Sequence, residues 1–238
     1  MALNSSALKD PAFPAESKRE LAKAKTRRAL LKSALQLYTR EGAQGMSMNK
    51  VSKGAGIAQP SFYNHFDSLD ALQHELSDQL KNDYLSTMRT AWLNMPKDYD
   101  ALDKEQFNQR CEQGLALIFD SAFKNIILFQ RLIEDRQRVF NSLNNQVLSH
   151  QTTGNCGLGN LITEIQKDWT EIFVQGLELA GRSVERSDIN LYVDMASAQV
   201  HELILGCHQQ RYSRAQAISV LSKNFDALFL ILFSQNNN

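Results

Sequence analysis

With 238 residues, 43% of them hydrophobic, and only 11 glycines and 4 prolines, the chain has room for one compact body plus a smaller module. It is broken too rarely for a fold of many tight turns, so an all-α architecture is expected. Formal net charge is zero, yet residues 1–66 hold 11 Lys/Arg against 4 Asp/Glu and the rest of the chain 15 against 22, which sets a basic head on an acidic body. Such polarity suits a head that meets phosphate or an acidic partner.

The three cysteines, Cys111, Cys156 and Cys207, are far apart and show no CxxC or Cys/His spacing of a zinc site, so free thiols and no metal are expected. No signal-peptide pattern is present. The longest apolar candidate, Phe225 to Phe233, contains Asp226 and falls short of the ~20 residues of a membrane span. A cytoplasmic protein without a membrane segment is the expectation.

Residues 1–15 lack periodicity and read as a flexible tail. From Lys18 to Glu41, Leu21, Leu30, Leu31, Ala34, Leu37 and Tyr38 form one stripe of a helix that Gly42 can close. Lys18, Arg19, Lys23, Lys25, Arg27, Arg28 and Lys32 crowd its first half. Ser47 then stands as N-cap before Met48 and Val51, in a helix of two turns that ends at Gly54-Ala55-Gly56. In the next short helix Pro60 suits the first turn. Phe62 and Phe66 lie four apart on a buried face, which directs Gln59, Ser61, Tyr63, Asn64 and His65 elsewhere. Two short helices about a glycine-containing turn are the helix-turn-helix pattern, whose second helix enters the major groove.

Ser68 is the next N-cap, opening a long connector helix with Leu69, Leu72, Leu76, Leu80, Tyr84, Met88 and Trp92 on one face. That helix should end near Met95-Pro96-Lys97, with a loop through Asp103. Further helices are expected near 104–123, 125–145, 158–180, 188–210 and 213–234. The Asn-, Gln-, Thr- and Gly-rich stretch 142–160 between them reads as a loop. Its Gly154, Gly157 and Gly159 lack the following Lys-Ser/Thr of a phosphate loop.

The text TRRALLKSALQLYTREG, followed by SMNKVSKGAGIAQPSFYNHFDSLDAL, resembles the TetR family of repressors over about fifty residues. The resemblance implies a first helix packed behind the helix-turn-helix, a Ser or Thr capping the second helix, and a recognition helix finished by Tyr63, His65 and Phe66. Two positions depart from the family's pattern: Ala58 replaces the usual capping Ser or Thr, and Asp67-Ser68-Leu69-Asp70 lacks a lysine often found there. By side-chain chemistry Gln59 and Asn64 suit an adenine edge, Ser61 a base or phosphate, and Pro60 a thymine methyl. Tyr63, His65, Lys25, Thr26, Arg27 and Ser47 suit phosphate, although a structural role for His65 is an even alternative.

The resemblance further implies three domains: a tail at 1–15, a helix-turn-helix domain at 16–68, and an effector-binding and dimerisation domain at 69–238. Double-stranded operator DNA, a small hydrophobic effector and a second copy of the chain are the implied partners, with no cofactor. Val193, Val200, Leu203, Ile204 and Cys207, with Ile218, Leu221, Phe225, Leu228, Phe229 and Leu232, suit a four-helix dimer interface or ordinary intrachain core. Phe119, Phe129, Trp169 and Phe173 lead a set of apolar residues that also includes Phe107, Leu115, Ile118, Phe123, Ile127, Leu132, Phe140 and Leu177. This set lines a ligand cavity if the central helices enclose one; helix core accounts for it equally well. Within it, FQRLIEDRQRVF resembles the corresponding stretch of family members that govern fatty-acid synthesis and desaturation, which makes acyl-CoA one candidate effector. Glu134, Asp135, Arg136 and Arg138 there are either polar anchors or a salt-bridged face. The alternatives to a regulator are a helical enzyme and a protein-binding adaptor with a basic head. The five histidines, His65, His74, His150, His201 and His208, form no catalytic or metal constellation in the sequence.

Overall fold

A computed structural model describes residues 18–146 and 157–234, and all its regular elements are helical. The expected tail, His150, Gly154, Cys156 and the centre of the polar stretch lie outside the described residues. Helix α1 spans Lys18–Glu41, α2 Met48–Gly54, α3 Leu69–Trp92, α4 Met95–Ala101, α5 Lys104–Lys124, α6 Ile126–Gln146, α7 Leu161–Leu179, α8 Arg186–His208 and α9 Arg214–Ser234. Short 3₁₀ helices at Ala43–Gly45, Gln59–Asn64 and Gly157–Asn160 join them.

Local chemistry sets most boundaries. Gly42 ends α1 at φ +72°, a left-handed conformation, and its amide donates to the Tyr38 carbonyl at 2.7 Å. The Ser47 hydroxyl accepts from the Lys50 amide at 3.3 Å, and that of Ser68 from the Ala71 amide at 3.0 Å, each satisfying a donor that the first helical turn leaves unpaired. Asp103 and Gln106 form a reciprocal capping box at the start of α5.

The loop expected from Met95 to Asp103 is instead mostly α4. Pro96 occupies the first turn, where no amide donor is required, and fully buried Met95 docks the helix on α7. Tertiary burial here outweighs the breaker signal of proline. The segment Gln59–Asn64 likewise forms a 3₁₀ helix rather than an α-helix; it is six residues long, and Ala58 offers it no side-chain cap.

The packing is organised around two cores. In the body, α5 lies along α9 and α7 along α8, enclosing Trp92, Phe107, Phe119, Phe225 and Phe229. In the head, Leu30, Tyr38, Val51, Phe62 and Leu72 pack together, and Leu128, Leu132, Leu158, Leu161 and Ile162 from α6, the Gly157–Asn160 turn and α7 complete the cluster. Leu158 has no exposed surface, and the turn that carries it is tied to α3 by the Ser77 hydroxyl, which donates to the Gly157 carbonyl at 3.2 Å. Gly157 and Gly159 are thus buried packing residues. Body residues are thus part of the head's core.

Helix α9 also corrects the apolar-run expectation: Arg214–Phe233 reaches the length and, at mean hydropathy 1.4, the composition of a membrane span, with 39% of it buried within the protein. Polar residues spread along the sequence hid a helix that is apolar on two faces. Because body residues are part of the head's core, Leu158→Ala should lower unfolding free energy by about 2–5 kcal/mol. Urea titrations followed by helicity and by tryptophan fluorescence should stay coincident; separate transitions would show that the two parts fold independently.

Candidate functional site

The turn between α2 and the Gln59–Asn64 helix is made by Gly56, at φ +74°, and by the Ile57 amide, which donates to the Ser52 carbonyl at 3.0 Å. Behind it the Ser33 hydroxyl donates to the Val51 carbonyl at 2.8 Å and fixes α2 on α1. Phe62 and Phe66 point inward, 0% and 4% exposed, with ring centroids 5.8 Å apart. Their burial turns the opposite side of this short helix to solvent: Gln59, Pro60, Tyr63 and Asn64 are exposed, and Ser61 is half-buried. Tyr63 is 55% exposed, an uncommon placement for so large an apolar ring.

The basic side chains of α1 divide into two groups. Lys18, Arg19, Lys23, Lys25, Arg28 and Lys32 are exposed, whereas Arg27 is turned into the head. Its guanidinium pairs with Glu75 of α3, donates to the carbonyl of His65, and lies 4.0 Å from the centre of the Phe66 ring. Expected at phosphate, Arg27 instead joins α1, the end of the 3₁₀ helix and α3. The planar fork and weakly hydrated face of arginine suit that three-way joint. Thr26 is half-buried and donates to the Ala22 carbonyl of its own helix at 3.1 Å; Ser47, also half-buried, is engaged as the α2 cap.

His65 is half-buried, and its Nδ1 has no hydrogen-bond partner among the described residues. Burial first, then the positive fields of Lys23 and Arg27, hold its imidazole below the usual histidine range, which favours the neutral form. Lys23 thereby sets its charge close to His65, at the C-terminal end of the 3₁₀ helix.

A second feature lies in the body. Helices α3, α5, α6, α7 and α8 enclose a cavity of about 650 Å³ whose wall includes Tyr84, Trp92, Phe129, Trp169, Phe173 and His201. Trp92 and Trp169 meet edge to face at 5.7 Å, and Phe129 meets the His201 ring at 5.6 Å. Of the four expected ligand contacts, Phe129, Trp169 and Phe173 line this space. Phe119 does not: it is fully buried on the side of α5 that faces α9, with the guanidinium of Arg214 5.9 Å from its ring centre. Of the wider set, Phe107, Leu115 and Leu177 are core, Phe123 and Ile127 are surface residues 37% and 50% exposed, and the side chain of Phe140 lies outside the described set. His201 carried no sequence signal, because only the fold brings α8 against Phe129. Burial lowers its pKa to about 4, with a contribution from Arg136, so its imidazole is neutral at physiological pH.

The polar run on α6 forms a salt-bridged face, Arg131 with Glu134 and Asp135 with Arg138, each at 2.9 Å. On α8 and α9 the interface expectation is corrected in part. Val193, Val200, Ile204, Leu221, Phe225, Phe229 and Leu232 are buried within the single chain, because these faces pack on α5 and α7. The outward apolar residues are others: Leu191 and Met195 on α8, Val220, Leu230 and Ile231 on α9, each 43–59% exposed. The Cys111 thiol is pushed up to about 12 by burial, and among the described residues no cluster of His, Cys, Asp and Glu suits a metal.

Comparison with known proteins agrees with this architecture. Residues 30–76 match the family described as bacterial regulatory proteins, tetR family. A 62-residue stretch is 42% identical to an uncharacterised HTH-type transcriptional regulator of Haemophilus influenzae, covering 26% of this chain and 30% of that protein, so under a third of the relative's length is spanned. The whole fold is similar to a tetR-family transcriptional regulator of Streptomyces coelicolor, with TM-score 0.57 and 16% identity over 90% of this chain and 84% of that one. It is also similar to a TetR-family regulator of Marinobacter aquaeolei, with TM-score 0.53 and 11% identity over 87% and 97%. A candidate fatty acid metabolism regulator of Clostridium perfringens matches with TM-score 0.53 and 13% identity over 82% and 95%. Residues 30–76 thus match the TetR family of bacterial regulatory proteins, and the all-helical fold is similar to that of solved regulators of this kind.

Proposed function

We propose that the protein is a ligand-responsive transcriptional repressor that binds double-stranded operator DNA as a homodimer and answers to a small hydrophobic effector. The observation that carries this reading is the pairing of an exposed polar surface, Gln59, Pro60, Tyr63 and Asn64, with an exposed run of lysines and arginines on α1, of which Lys23 lies near enough to His65 to act on its charge. An element that reads base edges and a cationic surface that grips the backbone are the two requirements of sequence-specific DNA binding. Gln59 and Asn64 are assigned to base edges, Pro60 to a thymine methyl, Ser61 to a base or phosphate, and Tyr63, His65, Lys25, Thr26 and Ser47 to phosphate. Arg27 acts as a positioning residue that holds the reading element on α3.

One reading element covers too few bases for useful specificity, so a second copy is required, with its element one DNA turn, roughly 34 Å, away. The outward face formed by Leu191, Met195, Val220, Leu230 and Ile231 is assigned to that dimer. The body cavity is assigned to the effector, and the match to a candidate fatty acid metabolism regulator supports an apolar one.

Binding of DNA from a randomised pool, selected and then measured across salt concentrations, separates these roles. A palindromic site is expected. Lys25→Ala should weaken binding to all sequences alike and reduce the slope of log affinity against log salt by about 0.9. Arg27→Gln and Glu75→Gln should both weaken binding with the slope unchanged, and Gln59→Ala should relax base preference at one position. An Arg27→Gln variant that loses slope as Lys25→Ala does would return Arg27 to the phosphate contacts. Independently, Leu230→Asp should convert a sedimenting dimer to monomer and cost at least tenfold in affinity for the full site. A variant that stays dimeric would remove this face from the interface.

A further inference from the structure

The charges around the cavity narrow the kind of molecule it can hold, given its assignment as the effector site. Lys124 is the one lysine or arginine among its lining residues; it sits exposed at the end of α5, close to Asp120, whose carboxylate lies 2.7 Å from Arg214. Asp83, the other lining carboxylate, is exposed on α3. The mouth therefore carries both signs, and neither an anion nor a cation gains a clear partner there.

Further in, the polar groups are neutral. Gln166 is 7% exposed and is held by the carboxylate of Asp194, to which its amide donates at 3.3 Å. His201 faces Phe129 in the wall and makes no hydrogen bond in the described structure, while Trp92, Trp169 and Phe173 supply apolar surface around it. A charge carried into this space would lose its water without gaining an opposite charge, whereas an apolar chain with one hydroxyl or carbonyl would satisfy the imidazole and lose little.

We propose that the cavity takes an uncharged apolar molecule with a single hydrogen-bonding group, and that His201 receives that group. The neutral imidazole offers one donor and one acceptor, so an alcohol can use either nitrogen. An anionic ligand would have to reach Arg136, the guanidinium whose field extends to His201 from outside the lining.

The chain's two tryptophans, Trp92 and Trp169, both line the cavity, so intrinsic fluorescence reports its occupancy. The full-length protein is titrated at pH 7.5 with four probes that share a ten-carbon chain: 1-decanol, decanoate, decyltrimethylammonium and decanoyl-CoA. Decanol is expected to give a saturable change and to bind at least tenfold more tightly than each charged probe. His201→Leu should weaken decanol about tenfold, and His201→Gln, which keeps a donor and an acceptor, should restore it to within threefold; thermal melts establish that each variant is folded, and His201→Phe replaces the Leu variant if that one melts early. Any charged probe that equals decanol overturns the ligand class while leaving the cavity as the effector site. Unchanged decanol affinity on loss of the imidazole overturns the role of His201. No response to any of the four probes overturns the cavity assignment and the ligand class with it.

Discussion

The constraint on which the rest of this structure depends is that the core of the head is built jointly with residues of the body. Leu30, Tyr38, Val51, Phe62 and Leu72 are buried in one cluster with Leu128, Leu132, Leu158, Leu161 and Ile162 of the body. A module of about fifty residues is marginal by itself, since little of its surface can be buried. Borrowing a wall from the body solves that problem and creates another property: Leu128, Leu132, Leu161 and Ile162 also line the body cavity. One side of each faces the space assigned to the effector, and the remainder is part of the head's core. No separate relay has to be invoked between the two regions.

That shared wall gives the Arg27 joint its meaning. Glu75 lies on α3 little more than a turn before Leu80, where the same helix begins to line the cavity. A displacement of α3 that changes the cavity thus acts on the helix whose carboxylate holds the guanidinium that in turn holds the His65 carbonyl. Densely packed interiors shift between discrete arrangements rather than deforming smoothly. In the proposed reading, an effector that favours one arrangement of this wall moves the reading element with it.

What the sequence made legible was local. Ser47, Ser68 and Asp103 announce helix starts because a capping side chain bonds an amide two or three residues away. Gly42 and the inward Phe62 and Phe66 are likewise set by neighbours within a turn. The misreadings have the opposite character. Pro96 reads as a helix breaker until it is seen packed beside Gly176 of α7; Phe119 reads as a cavity residue until α9 is seen to take that side of α5. The Arg27 to Glu75 pair spans 48 positions, so nothing in either residue's neighbourhood reveals it. His201 could be noted as a histidine on a helix, but its half-buried, neutral state follows from the packing of α8, with Phe129 and Arg136 of α6 near its ring.

The two faces of α9 illustrate a further limit of periodicity. Leu221, Phe225, Phe229 and Leu232 turn toward α5 and are buried, while Val220, Leu230 and Ile231 stay exposed. A one-sided amphipathic helix would not reach the mean hydropathy of a membrane span; α9 does, because its outward face is apolar as well. Apolar surface in that amount is costly to leave in water, at roughly 25 cal/mol per Å². A membrane would require burial around the whole circumference, and the inward face is already committed to α5. What is left is a strip one helix wide, beside Leu191 and Met195 of α8, which in the proposed reading is covered by the same strip on a second copy.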